Sequence, residues 1–413
     1  MPLAIELAPD RVVSCRLGLQ WLNFWVAALQ AGFGAFIPAY LAAAGWKEVD
    51  IGFALSLGTI AMMAGQLPAG ALIDAIHSKR IAAAAALVLV GASALLLAGS
   101  TSRFFVYSSE LVHGLASCAL PPAIAAITLA VFGRAGFGES VGRNTQFAAI
   151  GSGVAAGLLG AFGDAISERA IFVATAAMCL PAIGALTWLG PRHHRPEQHH
   201  DHPAMLHPRR RRQLQFRAWR VLHEHGLYPF AAVTALFQLG HAAMLPFALT
   251  RNVSPVVVSA AIIVPQFMTA LLSPWLGRVA ERAGRRPVLL LGLVALPVRG
   301  VALALVPGAI PLVLAQTLDG VSGAAIGVML PLVSADISGR SGALNLTMGG
   351  IGLAIAIGAA LSTIIAGIMT ESFGIEMTLL GLAAVGAAAA ATAWLTMPET
   401  KPATPWRHPA LAD

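Results

Sequence analysis

Gly277-Arg278-Val279-Ala280-Glu281-Arg282-Ala283-Gly284-Arg285-Arg286 is a dense charged turn set between two long apolar runs. It has a counterpart 207 residues earlier, Gly70-Ala71-Leu72-Ile73-Asp74-Ala75-Ile76-His77-Ser78-Lys79-Arg80, which keeps the glycine, an acid four residues on and a closing basic pair. Two copies of one polar loop in an otherwise apolar chain point to a duplicated membrane protein.

Composition points the same way. With 57% hydrophobic and 11% charged residues among 413, the chain has too little polar surface to cover a soluble globule and must use lipid as solvent. The three cysteines, Cys15, Cys118 and Cys179, show neither metal nor disulfide spacing and read as small apolar packing residues. The N-terminus carries Glu6 and Asp10 and lacks a basic start and a small-residue cleavage site, so no signal peptide is expected and the first helix serves for targeting. An excess of Arg (23) over Lys (3) suggests a GC-rich bacterial genome, hence a bacterial inner membrane.

Crossing roughly 30 Å of hydrocarbon takes about 20 apolar residues, and twelve such spans are predicted. They lie near 17–44, 51–76, 81–101, 104–132, 144–163, 169–190, 227–249, 255–276, 287–305, 308–334, 344–370 and 374–397. Pro38, Pro121, Pro122, Pro246, Pro265, Pro297 and Pro331 are expected to mark kinks. The N-terminal tail, the turns after even-numbered spans and the C-terminal tail hold 21 of the 26 basic residues; the opposite turns hold Lys47, Arg103, Arg169 and Arg251, and Arg299 sits inside span 9. The positive-inside rule then places both termini in the cytoplasm.

The repeat extends beyond the turns. Gln30-Ala31-Gly32 running on to Pro38 in span 1 answers Gln238-Leu239-Gly240 running on to Pro246 in span 7. His113-Gly114 in span 4 answers Asp319-Gly320 in span 10, and Gly142-Arg143 answers Gly339-Arg340. The unit is six helices used twice in parallel: an N-terminal half over 1–190, a linker over 191–226 and a C-terminal half with a short cytoplasmic tail over 227–413. The fold class expected is an all-α integral membrane protein of twelve helices in two pseudo-symmetric halves.

With these features the chain resembles the major facilitator superfamily of transporters over essentially its whole length. The loop motif G-x-x-x-D-R-x-G-R-R of that family is matched at Gly277, Arg282, Gly284, Arg285 and Arg286, with Glu281 in the acid's place. The first copy keeps Gly70 and Asp74 but has Ala75 where Arg is usual and His77 where Gly is usual. The resemblance implies that such turns lock the cytoplasmic side while the cavity faces outward and release it as the halves rock. Asp74 and Glu281 are placed to attract the partial positive charge at another helix's N-terminus. Lys79, Arg80, Arg282, Arg285 and Arg286 either join that gate or enforce topology and bind anionic lipid.

The linker holds eight of the twelve histidines, His193, His194, His199, His200, His202, His207, His223 and His225, and the run Arg209 to Arg212. No fixed spacing pairs them with carboxylate or thiolate, so a solvated linker is preferred to a metal site and no metal is assigned. Phe216, Trp219 and Leu222 share one face of 213–224, which suits a helix on the inner leaflet.

Ionisable side chains inside the membrane are costly and mark transport chemistry. Span 4 has Glu110 and His113 on one face, and span 10 has Gln316 and Asp319 at the matching positions. In the resembled fold spans 1, 4, 7 and 10 line the central cavity, so Asp319, Glu110, His113 and Arg299 are the proton-coupling candidates. Asp319 and Arg299 lie at depths of about 17 and about 18 Å from opposite faces, close enough to form a buried pair. That pair serves either coupling or plain charge neutralisation. Glu110, nearer the outer surface, is either a coupling acid or a solvated rim residue. Cavity candidates are Asn23, Trp25, Gln30 and Phe33 of span 1, Gln238 and His241 of span 7, Gln266 of span 8 and Asn345 of span 11. Mostly neutral walls suit an amphipathic or weakly charged organic solute, and no Arg or Lys cluster suggests a phosphate ester. Gly151, Gly153, Gly157, Gly160 and Gly163 of span 5 permit close packing. Span 5 lacks the Gly-Pro signature usual in the family's proton-linked exporters.

The function expected is secondary active transport of a small organic solute by alternating access, coupled to protons. Export by antiport is preferred to uptake by symport. A reading of another class is a membrane sensor or metal-responsive protein using the His-rich loop. The chain has no nucleotide-binding P-loop and no nucleophile and base at useful spacing, so neither an ATPase nor any other enzyme is expected. Expected partners are the bilayer, a small solute and protons, with no cofactor and no nucleic acid, for a protein working as a monomer.

Overall fold

The computed structural model describes residues 9–34, 36–76, 78–165, 167–189, 226–249, 255–339 and 342–401, and within them every regular element is an α-helix. The first crossing is α1 (Pro9–Gly34) followed by α2 (Ile37–Ala43), the second α3 (Glu48–Ala75) and the third α4 (Lys79–Gly99). The fourth is shared by α5 (Arg103–Ser117) and α6 (Leu120–Phe132), the fifth is α7 (Phe137–Ala165), and the sixth is α8 (Glu168–Ala177) with α9 (Cys179–Thr187). Then come α10 (Leu227–His241) with α11 (Met244–Leu249), α12 (Pro255–Ala283), α13 (Arg285–Leu305), α14 (Ala309–Ile337) and α15 (Leu344–Thr396).

Ten of the described helices or helix pairs are long and apolar enough to cross a membrane. One is α15, whose 53 residues are broken at Gly374, where φ is 82°. Unbroken, it would extend about 80 Å, more than twice the hydrocarbon thickness, so it makes two crossings. The remaining crossing is α7, 29 residues long with Glu139 and Arg143 in its first two turns. The helices therefore supply the twelve crossings expected.

Proline explains most of the interruptions. A proline ring clashes with the carbonyl four residues back and offers no N–H. Breaks fall just ahead of Pro38, of Pro121 and Pro122, of Pro181 and of Pro246. Pro265, Pro297 and Pro331 instead stay inside continuous helices, as do Pro68 and Pro274.

The chain forms two compact units: Met1–Val131 with Gln146–Arg220, and Phe132–Thr145 with Val221–Asp413. In the first, α1 packs on α8 and α9, and α5 packs on α3 and α4. In the second, α10 and α13 pack on α15, and α14 packs on α12 and α13. The opening turns of α7 belong to the second unit and its remainder to the first.

The repeated His113-Gly114 and Asp319-Gly320 steps have a shared steric reason. A Cβ on Gly114 would drive into the Gly58 carbonyl and come within 3.0 Å of the Met62 nitrogen, so α5 crosses α3 backbone to backbone. A Cβ on Gly320 would lie 2.7 Å from the Pro265 oxygen, so α14 crosses α12 in the same way. In span 5 Gly151 makes a close approach, since a Cβ there would lie 2.8 Å from the Phe24 carbonyl carbon, whereas Gly157 faces open space.

Gly114→Ala should therefore lower the thermal unfolding midpoint in detergent, by the ~1–3 kcal/mol typical of overpacking. Gly157→Ala, with nothing within 4 Å, should leave it unchanged or raise it slightly.

Candidate functional site

A buried polar cluster of the second unit is built on three helices. Asp319 of α14 accepts two bonds on Oδ1, from Arg299 Nη1 of α13 at 2.6 Å and from His241 Nε2 of α10 at 2.7 Å. Arg299 Nη2 donates to Gln316 Oε1 at 2.8 Å, and Gln316 Nε2 donates back to the Leu312 carbonyl at 3.3 Å. The side chains grade from Arg299 at 1% exposed through Asp319 at 14% to His241 at 29%. The cation is thus sealed in protein and the imidazole is the accessible end. Phe237 stacks on His241 with centroids 5.2 Å apart and fixes its ring plane. Arg299 Nε and His241 Nδ1 are buried without a hydrogen-bond partner.

Local sequence accounts for this placement. Gln316 and Asp319 are three residues apart and Phe237 and His241 four apart, so each pair shares a helix face. Gln238, the residue matched to Gln30 by sequence, is half-buried and makes no side-chain hydrogen bond among the described residues. His241, one turn further on, makes the contact instead. Gln266 is half-buried on α12, and Asn345 is 2% exposed at the start of α15.

The first unit carries a different set at the corresponding positions. His113 Nε2 of α5 donates to Gln30 Oε1 of α1 at 3.1 Å, and its ring stacks on Phe33 at a centroid distance of 3.5 Å and an interplanar angle of 5°. Phe33 is 1% exposed, within a core cluster that includes Ile37, Leu41 and Phe172. Asn23 Nδ2 donates to the Leu19 carbonyl of its own helix at 2.8 Å. Trp25 belongs to an aromatic group with Trp21 and Phe24, and Trp21 in turn packs edge-on against Phe147. Glu110 is not a rim residue: it is 5% exposed and its carboxyl faces the Gly58 backbone of α3.

The charged turn of the second unit is a network of helix caps. Glu281 Oε1 accepts from the Gly138 and Glu139 N–H groups at 2.6 and 3.2 Å, so it caps the start of α7. Gly277 makes room for this: a Cβ there would lie 3.2 Å from Gly142 Cα and collide with the Gly138 carbonyl. Gly284 adopts φ 106°, and a Cβ there would lie 2.8 Å from the Glu399 carboxyl carbon. Glu399 in turn caps α13, accepting from the Arg285 N–H at 2.8 Å, the Arg286 N–H at 3.1 Å and the Lys401 N–H at 2.9 Å. Arg285 Nε bonds Asp336 Oδ2 at 2.9 Å and its Nη1 donates to the Ala280 carbonyl at 2.8 Å. The Arg286 guanidinium donates to the Trp394 carbonyl and lies 5.2 Å above the Trp394 ring. Arg282 is exposed, and its carbonyl accepts from Lys401 Nζ at 2.9 Å.

The first copy is simpler. Lys79 Nζ donates to the Ile73, Asp74 and Ile76 carbonyls and closes the end of α3, and Arg80 donates to the Leu189 carbonyl. Gly70 is buried and Asp74 half-buried at the same helix end. His77, the linker histidines, Arg209 to Arg212 and the segment 213–224 lie outside the described residues.

Asp336 and Glu399 are the network members that sequence reasoning missed. The signal was weak: an acid two residues past the predicted end of span 10, and Pro398-Glu399-Thr400 directly after span 12. Burial raises the Glu399 carboxyl, but the backbone N–H groups of Arg285, Lys401 and Arg286 and the Arg285 charge outweigh it and hold it below the usual carboxylate range.

A duplicated bundle of twelve crossings, with a charged turn at the same point of each half and buried polar pairs between helices, defines a carrier-type membrane protein. The family model of the Major Facilitator Superfamily matches residues 19–251 and again 227–412. Uncharacterized MFS-type transporters of Mycobacterium tuberculosis, from strains CDC 1551 / Oshkosh and ATCC 25618 / H37Rv, are 32% identical over 407 residues, covering 96% of this chain and 95% of the relatives. The chain belongs to the major facilitator superfamily and is a multi-pass membrane protein of that transporter family. Among solved structures, the human organic anion transporter MFSD10 (TETRAN) superposes with a TM-score of 0.72 at 15% identity, covering 94% of this chain and 100% of that one. A mutant of the nucleoside transporter NupG superposes with a TM-score of 0.63 at 16% identity, covering 93% and 100%.

The lowered Glu399 carboxyl gives a signed pH dependence. Its cap stabilises the fold above the ordinary carboxylate pKa and is lost as pH falls through the lower folded value. Glu399→Gln should therefore cost at most about 1 kcal/mol at neutral pH, the ordinary worth of an exposed cap. The difference in unfolding midpoint between the two proteins should vanish in acid. Glu281→Gln, by weakening the α7 cap, should reduce transport without reducing membrane insertion, compared by flux assay and by yield of folded protein.

Proposed function

We propose that the protein moves a small organic solute by alternating access, coupled to protons, with export by antiport preferred to uptake by symport. The observation that carries this reading is the shared oxygen of Asp319, bonded at once by a sealed cation, Arg299, and by an accessible titratable ring, His241. Arg299 offsets the Asp319 charge permanently, since a guanidinium does not release its proton. Adding or removing a proton at His241 therefore changes the cluster's charge by one unit without leaving an unpaired carboxylate. A site of that kind can load on one side of a membrane and discharge on the other.

In this reading Gln316 positions Arg299, Phe237 positions His241, and each unit by itself offers the solute polar or aromatic side chains, Gln30 and Trp25 in the first and Gln238 in the second. The capped turns at Glu281 and Asp74 act as cytoplasmic gates. The protein works as a monomer in a bacterial inner membrane with both termini in the cytoplasm.

Proteoliposomes with a trapped pH-sensitive dye test this. Solutes found by thermal shift should move the lumenal pH when added to wild-type vesicles, and the direction of the change separates antiport from symport. Asp319→Asn, which leaves Arg299 uncompensated, should abolish proton-linked movement. Wild-type proton flux in that variant would end the coupling assignment, and solute binding with no net movement by the wild type would favour the sensor reading.

A further inference from the structure

Among the described residues, the first unit contains a buried acid with no cation bonded to it. Glu110 is 5% exposed, its Oε1 is buried with no hydrogen-bond partner, and its Oε2 abuts the Gly58 backbone where α5 crosses α3. Its counterpart in the repeat, Gln316, meets Arg299 instead. The repeat position matching Arg299 is Ser93, whose carbonyl accepts from Ser109 Oγ at 2.6 Å, so this unit has a neutral contact where the other has a guanidinium.

The ionisable groups of the surrounding helices stand elsewhere. On α3 they are Glu48 and Asp50 at the outer end and Asp74 at the inner end; on α4 they are Lys79 and Arg80 at the inner end. On α1 they are Asp10, Arg11 and Arg16, in its opening turns. On α5 itself they are Arg103, Tyr107 and His113; Arg103 lies at the outer end bonded to Asp50 at 3.0 Å, and the Tyr107 ring packs on Trp46 and Phe53. Arg103 is seven residues from Glu110, about 10 Å along the helix. On the Glu110 face the nearest titratable neighbours are Tyr107, one turn outward, and His113, one turn inward.

A carboxylate in that place would be a bare charge in apolar surroundings, which costs several kcal/mol, whereas a carboxylic acid is merely a poorly satisfied polar group. We propose that Glu110 is a second proton carrier, separate from the Asp319 cluster: it holds a proton in this conformation and releases it when the α3–α5 crossing at Gly58 and Gly114 admits water. On release the carboxyl O–H bond breaks, the electron pair stays on the carboxylate, and the proton passes to the entering water or to His113 Nδ1. That nitrogen is suited to receive it. His113 donates through Nε2 to Gln30, so in the neutral ring Nδ1 bears the lone pair, and it is buried without a partner. The proposal rests on the transporter reading only for the release step.

Infrared difference spectroscopy of the full chain in phosphatidylcholine vesicles tests it, with the proton itself as probe. At neutral pH the wild type should show a protonated-carboxyl C=O band that shifts down in D2O and is missing from Glu110→Gln. The band should persist in Asp319→Asn, so the outcome is independent of the Asp319 assignment. Superimposable wild-type and Glu110→Gln spectra would overturn the proposal. A band that never shifts in D2O would also overturn it, by showing a proton locked in place rather than carried. Should Glu110→Gln not fold, Glu110→Asp must move the band, and an unmoved band counts against the assignment equally.

Discussion

A charged group in hydrocarbon must find a partner, and in this protein that constraint bears hardest on Arg299. At 1% exposure it is sealed away from both water and lipid. An unpaired arginine at mid-membrane costs at least about 2.5–3.5 kcal/mol on insertion scales. Asp319 neutralises it, Gln316 occupies a second face of the guanidinium, and His241 shares the acid. Three helices, α10, α13 and α14, are thereby held in one register. The same bonds leave the His241 imidazole at the accessible edge of the cluster, so one set of contacts both neutralises the arginine and exposes the ring on which the proposed proton coupling rests.

The duplication preserves positions of contact while exchanging their chemistry. Phe33 and His241 occupy matching places in the repeat, as do His113 and Asp319: within the first unit Phe33 stacks on His113, and within the second His241 bonds Asp319. The glycines after His113 and Asp319, Gly114 and Gly320, each let their helix cross a neighbour at backbone distance. Packing geometry has been kept in both copies because a Cβ at either glycine would collide. The polar side chains beside them were free to diverge, so one unit carries a compensated acid and the other a bare one.

The charged turns follow a related economy. Helix ends leave unsatisfied N–H groups, and the second unit meets those of α7 and α13 with carboxylates from Glu281 and Glu399. Gly277 and Gly284 provide the close approach, the latter also the left-handed backbone. The motif is thus a device for bringing two acids onto two helix starts, with Arg285 tied to Asp336 between them. In the first copy the caps run the other way, with Lys79 closing the carbonyl end of α3.

Apolar span length, the repeated turn and the placement of Arg and Lys determined from sequence alone that the protein is a duplicated helical membrane protein, because the bilayer fixes how long a span must be and leaves backbone groups no alternative to helix. Spacing also put Gln316 with Asp319 and Glu110 with His113 on shared faces. Partners across helices were another matter. Nothing in the sequence distinguishes Gln238 from His241 as the neighbour of Asp319, or shows that Glu110 turns toward Gly58 rather than toward water, since helix rotation and crossing point are set by packing against other helices. Glu399 stayed hidden for the same reason: its chemistry depends on the start of α13, 114 residues earlier in the chain, which only the folded structure brings within hydrogen-bonding distance.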